Sequence, residues 1–369
     1  TKSLENVLMY TSALDGRSEH CYCLLPKGYT PEKKYPLFLT ISVLYHTINC
    51  LSFSPFQDEE VIFADITPKG VTMGSHVGEA ALLEQIEQLK RRFSVDEDRI
   101  YLTGYSNGGS AAWHLAQMYP HLFAGIIPLA GMQNARFLGN LLHVNVITAF
   151  SHEDSVPRIY DRCIQRCYRR LPLLVEAEAK NYYHTDFQTL LAKRDTLCYM
   201  LKRKRNPYPD TIYYKTRDHR HLQAYWLKLD GIRPGKKEAT VRASVTDSGL
   251  ELQCRNADGV EVELPPSLRN KEKILLRINR QEITLSPAAG YRLHLSRQQN
   301  GWSLDDKAPT PRGRKGIGLL DVYYAPLKIV AGIPELTDLA GNFSRPVSNG
   351  YVPELTVEYP VLSLAEWQG

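Results

Sequence analysis

The sequence predicts an α/β architecture: a mostly parallel sheet flanked by helices, followed by a smaller antiparallel β domain. Three observations carry this. Short β-branched and aromatic runs alternate with helical segments along the N-terminal part of the chain. One run ends in Gly104-Tyr105-Ser106-Asn107-Gly108, and Ser110-Ala111-Ala112-Trp113-His114-Leu115-Ala116 follows it at helical spacing. After Trp226 the pattern changes to short runs, several of them alternating, separated by Gly, Asn and Pro.

The elements follow in order. His20-Cys21-Tyr22-Cys23-Leu24-Leu25 reads as an early strand, closed by Pro26-Lys27-Gly28-Tyr29. The first strongly buried strand is 35–43, and 60–66 is the next. Residues 79–93 form an amphipathic helix with Ala80, Leu83, Ile86 and Leu89 near one face. Val95-Asp96-Glu97-Asp98 turns the chain into the strand that ends at Ser106. Residues 123–129 and 144–150 supply two more apolar strands. The stretch 156–205 reads as long, helical and basic, with Arg166, Arg169, Arg170, Lys202, Arg203, Lys204 and Arg205. Residues 211–216 read as the last strand of the sheet. Strands over 239–245, 250–254, 260–264, 273–278 and 291–295 make the β domain, and 327–331 adds a strand within a Pro- and Gly-rich C-terminal segment. The expected division is a first domain over 1–228 with a helical cap at 158–206, a β domain over 229–306, and a segment 307–369 packing on both.

Composition narrows the function classes. A chain of 369 residues with 43% hydrophobic residues can bury a substantial core. The net charge of +5 comes from 45 basic and 40 acidic residues scattered together, which is no nucleic-acid signature. No apolar run approaches the length of a membrane span. Thr1-Lys2-Ser3-Leu4-Glu5-Asn6 does not read as a signal peptide, although a trimmed mature chain would begin in the same way. Seven cysteines, an odd number at irregular spacing, favour free thiols and a cytoplasmic location, with secretion the alternative for a trimmed chain. Cys163 and Cys167 share a helix face but lack neighbouring ligands, so neither a metal nor a cofactor is expected.

The Gly-x-Ser-x-Gly stretch carries the chemistry. A serine on a tight strand-to-helix turn has its hydroxyl exposed, and Gly104 and Gly108 supply room for the turn. The helix behind it aims its first amides at the place where negative charge develops in acyl transfer. Ser106 is therefore the candidate nucleophile. It needs a base, and the base needs an orienting carboxylate. In chain order the acid comes next, after the strand 144–150, and Asp154 is the candidate with Glu153 as the alternative. The histidine follows the last strand. His219 and His221 both qualify by position after 211–216; His46, His76, His152 and His184 lack that context, and His114 reads as a packing residue.

These segments resemble α/β-hydrolase esterases, nearest to polyhydroxybutyrate-depolymerase and feruloyl-esterase relatives and to prolyl-oligopeptidase-like hydrolases. The likeness lies in Asp98 to Gly109, in Asp154-Ser155-Val156-Pro157, and in His221 with Ala224-Tyr225-Trp226. It covers about residues 17–230. It implies an α/β-hydrolase sheet flanked by helices with an appended small antiparallel β domain. It also implies a triad of Ser106, Asp154 and His221, with His219 as the alternative base. The family's His-Gly after the first buried strand is absent; Leu44-Tyr45-His46-Thr47 stands there. Asn107 can supply one oxyanion-hole amide and Tyr45 is the candidate for the second. The leading reading is a serine hydrolase that cleaves a carboxylic ester through an acyl-enzyme. Acyl transfer or peptide cleavage by the same triad, or an inactive relative kept for binding, are the alternatives. The substrate is a small-molecule or polymer ester, anionic if the basic stretch caps the site. Tyr291 and Trp302 could stack on a sugar or pack in the β core.

Overall fold

A computed structural model describes residues 5–42, 53, 56, 58–69, 76–131, 134–151, 172–180, 194–285, 291–299, 301–305, 329–331 and 361–363. Its centre is an eight-stranded sheet. The strands are β1 (Glu5–Thr11), β2 (Ser18–Leu24), β3 (Tyr35–Ile41), β4 (Ile62–Ile66), β5 (Val95–Tyr105), β6 (Gly125–Leu129), β7 (Asn145–Ser151) and β8 (Leu174–Lys180). Their order is β1-β2-β4-β3-β5-β6-β7-β8. β1, β2 and β4 pair antiparallel in turn, and every other neighbour pair is parallel.

The central strands read as continuous apolar runs because both faces of the sheet are covered. All seven positions of β3 and all five of β4 and β6 are buried. Alternation still sorts the side chains. Leu37, Leu39 and Ile41 join a cluster with Leu82, Ile86 and Leu89 of α1 (His76–Arg92) and Ala112, Trp113 and Leu115 of α2 (Asn107–Met118). Phe38, Phe63, Tyr101 and Ile127 face the other way and pack with Leu197 and Met200 of α3 (Arg194–Leu201). On α1 the buried face is rotated from the expected one: Ala81, Leu82, Gln85, Ile86 and Leu89 are buried, while Ala80 and Leu83 are only partly covered. Val95 to Asp98, expected as a turn, already belongs to β5.

Two corrections matter for the site. Among the described residues the strand at the far edge of the sheet is β8, not the run 211–216. β8 also interrupts the stretch expected as an unbroken helical cap over 158–206. The run 211–216 is β9 (Thr211–Thr216), and it lies at one edge of a different, five-stranded sheet.

That sheet has the order β16-β15-β13-β12-β9, and a second five-stranded sheet has the order β10-β11-β14-β17-β18. The strands are β10 (Gln223–Ala224), β11 (Leu227–Leu229), β12 (Ala239–Thr246), β13 (Gly249–Arg255), β14 (Gly259–Glu263), β15 (Ile274–Ile278), β16 (Gln281–Leu285), β17 (Arg292–Gln298) and β18 (Gly301–Asp305). All pairs are antiparallel except β13 with β15. Alternate residues of both sheets, among them Val241, Leu252, Leu276, Val260, Leu295 and Trp302, share one core. Trp302 is thus a packing residue, whereas Tyr291 is exposed, its ring 4.9 Å from the Arg269 guanidinium. The sheets start at Thr211, ahead of the boundary expected at 229. Residues 1–309 form one compact unit. In the second unit, 310–369, strands β19 (Ile329–Ala331) and β20 (Val361–Ser363) pair in parallel.

β9 is tied to α2 by buried polar groups. The Asn140 side chain, 1% exposed, donates to the carbonyls of Gln117 at 2.8 Å and Lys215 at 2.9 Å, and accepts from the Lys215 amide at 2.8 Å. Removing it strands three backbone partners, the Gln117 carbonyl buried and the two Lys215 groups partly buried, and a buried group costs about 1–3 kcal/mol to leave unsatisfied. Asn140→Ala should therefore lower the unfolding free energy by about 2–4 kcal/mol in urea titrations, with Asn140→Asp intermediate. A loss below about 0.5 kcal/mol would mean that water replaces the side chain.

Candidate active site

Three glycines and one strained serine make the turn between β5 and α2. Ser106 has φ 53° and ψ −114°, a backbone state that costs a non-glycine residue about 1–3 kcal/mol. The chain around it holds the turn in place. The Ser106 amide donates to the Leu129 carbonyl at 2.9 Å, and its carbonyl accepts the Ser110 amide at 2.9 Å. A β-carbon on Gly104 would lie 2.3 Å from the Gly108 carbonyl, one on Gly108 2.4 Å from the Ile41 oxygen, and one on Gly109 2.5 Å from the Leu129 oxygen. These are backbone atoms that cannot step aside, so the helix reaches the sheet only where side chains are missing. Ser106 itself is partly accessible and Asn107 is exposed. Asn107 opens α2, so its amide is among those left without an intrahelical acceptor.

The expected partners are distributed differently. Asp154, Glu153 and Tyr45 lie outside the described residues; Asp154 follows the end of β7 by three positions. His221 is described and is not brought to Ser106. The Tyr214 hydroxyl lies 2.8 Å from the Met118 carbonyl and 3.2 Å from that of His221, at the C-terminal end of α2. The His221 ring packs edge-on against Tyr119, centroids 5.3 Å apart. The His221 ring shares Glu79 with His114, which stands eight positions past Ser106, about 12 Å along the helix at 1.5 Å per residue. His219 sits beside Gly231, where an added β-carbon would be 3.2 Å from its Nδ1. The sequence reading assigned these histidines because it took β9 for the closing strand. The histidine that follows the actual closing strand is His184, four positions past β8, also outside the described residues.

A second polar cluster sits at the far half of α2, and the sequence reading missed it. Glu79, in the first turn of α1, has its Oε2 2.6 Å from His114 Nε2 and its Oε1 2.8 Å from His221 Nε2. The Tyr119 hydroxyl donates to Oε1 at 2.8 Å. Arg220 approaches to 3.8 Å while pairing with Asp218. His114 is therefore a polar partner rather than a packing residue. Burial pushes the Glu79 carboxyl up, but the hydrogen bonds and charges of His114 and His221 outweigh it and hold it at about 2. The carboxylate is ionised and can only accept, so both Nε2 atoms carry protons.

The depressed Glu79 value predicts an acid-sensitive fold. Its stabilisation is complete above the ordinary value near 4.5 and is lost as pH falls through about 2. The full loss is about 3 kcal/mol. In EDTA-containing buffer, Glu79→Gln should flatten the stability-versus-pH curve between those values. An unchanged slope would place the acid sensitivity elsewhere.

Comparison with known proteins fits the elbow. Residues 80–154 match the model of the Prolyl oligopeptidase family, a stretch that includes Ser106 and Asp154. Poly(3-hydroxyalkanoate) depolymerase C of Paucimonas lemoignei is 38% identical over 65 residues, 17% of this chain; the match spans 15% of that relative's length. Among solved structures, a thermostable esterase aligns with TM-score 0.47 and 15% identity over 55% of this chain and 63% of its own. The feruloyl esterase module from Clostridium thermocellum aligns with TM-score 0.45 and 14% identity over 55% of this chain and 90% of its own. The strand–elbow–helix at Ser106 and the parallel sheet that carries it have the form of an α/β-hydrolase, and residues 80–154 are similar to the Prolyl oligopeptidase family.

Proposed function

We propose that this chain hydrolyses a carboxylic ester through an acyl-enzyme on Ser106. The observation that carries the reading is the strained elbow, which sets the serine at the head of α2 beside the first amide of the helix. Ser106 Oγ attacks the ester carbonyl and gives its proton to a histidine. The tetrahedral oxyanion takes a hydrogen bond from the Asn107 amide, and the segment around Tyr45 is the proposed source of the second donor. Collapse expels the alcohol, which leaves with the proton from the histidine. A water then attacks the acyl group by the same route in reverse, returning the proton to Ser106.

Position in the sheet supports Asp154 as the orienting acid, with Glu153 as the alternative, since both follow β7. It supports His184 as the base, since it follows β8. His221 has its Nε2 engaged by Glu79 and reads as a structural residue. The appended two-sheet region, including β9, is proposed as a separate β domain with its own core. The depolymerase relative favours a polymeric or extended ester substrate. A peptide substrate is the second reading, favoured by the Prolyl oligopeptidase family match, and the same acyl-enzyme serves it.

A fluorophosphonate probe should modify Ser106, and Ser106→Ala should abolish labelling. With p-nitrophenyl esters, His184→Ala should lower kcat about 1,000-fold or more while His221→Ala, if folded, keeps most of it. Full loss in a folded His221→Ala variant, with His184→Ala active, would return the base to His221. A label on another residue would move the site.

A further inference from the structure

The cluster at the far half of α2 has the donors of a metal site. Glu79, His114 and His221 come from α1, from α2 and from the turn after β9, and their ligand atoms lie within 4.8 Å of one another. Two imidazoles and a carboxylate on three separate elements form a common set for a four-coordinate first-row ion, with a fourth place for water. Both histidines turn the same nitrogen, Nε2, toward the shared carboxylate. The Glu79 and His221 side chains are 4% exposed, and His114 at 32% leaves a way in from solvent. Tyr119 supplies an outer hydrogen bond to Oε1, of the kind that orients a ligating carboxylate. Arg220, 3.8 Å from Oε1, is an opposing charge, and Asp218 holds it with two side-chain bonds.

We propose that Glu79, His114 and His221 bind one divalent transition ion of the zinc class, clasping α1, α2 and the turn after β9 together. With metal–ligand bonds of about 2.0–2.1 Å, tetrahedral ligand atoms sit about 3.3 Å apart. The present separations of 2.6 and 2.8 Å are those of hydrogen bonds in which protons hold the place of the ion. Binding therefore requires the side chains to open by about half an ångström and the Nε2 protons to leave, to Nδ1 of a neutral ring or to solvent. The site is independent of Ser106, so it stands or falls apart from the esterase reading.

The test uses the full chain stripped with EDTA. Zn2+ titrated calorimetrically should bind with one-to-one stoichiometry, and Co2+ should give the visible absorption of a four-coordinate site. His114→Ala, at a partly exposed position, should weaken Zn2+ binding about 100-fold or more. His143→Ala, whose ring accompanies Tyr225 and Thr211 instead, should leave it unchanged. Far-UV circular dichroism and a cooperative thermal transition report whether each variant is folded. Independently of any variant, 15N-histidine spectra of the wild-type chain should show two imidazoles passing to the Nε2-bound form. Absence of saturable Zn2+ uptake, equal affinity in His114→Ala, or no change in two imidazoles would overturn the proposal.

Discussion

The close approach of α2 to the sheet is the constraint on which the site depends. Backbone packs on backbone there: Gly104 against Gly108, Gly108 against the Ile41 carbonyl, Gly109 against the Leu129 carbonyl and Gly131 against Gly109. No side chain larger than hydrogen fits these places without moving a strand. The reward is a serine fixed in a left-handed turn at the positive end of a helix, with β3, β5 and β6 holding it from below. The strain at Ser106 is thus sustained by the most deeply buried part of the molecule, where Leu37, Leu39, Leu102 and Ala112 are fully covered.

The other end of α2 follows a different principle. There the helix meets α1 and the chain entering the two small sheets through ionised and polar groups in addition to apolar contact. Glu79 is a buried charge, and His114, His221 and Tyr119 compensate it. Breaking such a set is costly, because the remaining charge loses its partners in a low-dielectric setting. One helix therefore carries two polar sites, the candidate active site at its N-terminus and the Glu79 cluster toward its C-terminus.

The legible parts of this chain were those where local chemistry and tertiary context agree. The apolar runs that form β3, β4 and β6 are buried on both faces, so their composition announces them. The elbow was readable because only glycine fits its neighbours. β8 was not, since Leu174-Val175-Glu176-Ala177-Glu178-Ala179-Lys180 is rich in helix formers and takes its strand form from pairing with β7. That one omission moved the end of the sheet to β9 and turned the search for a base to the histidines beyond it. β9 has the composition of a strand, but which sheet it joins depends on partners more than twenty residues away, Ala239 to Ser244. The Glu79 cluster had no sequence signature, because its members are separated by 35 and 142 positions.

The central claim is that Ser106 forms a covalent acyl intermediate. The most direct measurement is mass spectrometry of protein acid-quenched within the first turnover of an activated acetyl ester. The account predicts a single acetyl group on the peptide containing Ser106, absent from Ser106→Ala. Turnover of the ester with no acyl group on that peptide, or with the group on another side chain, would contradict it.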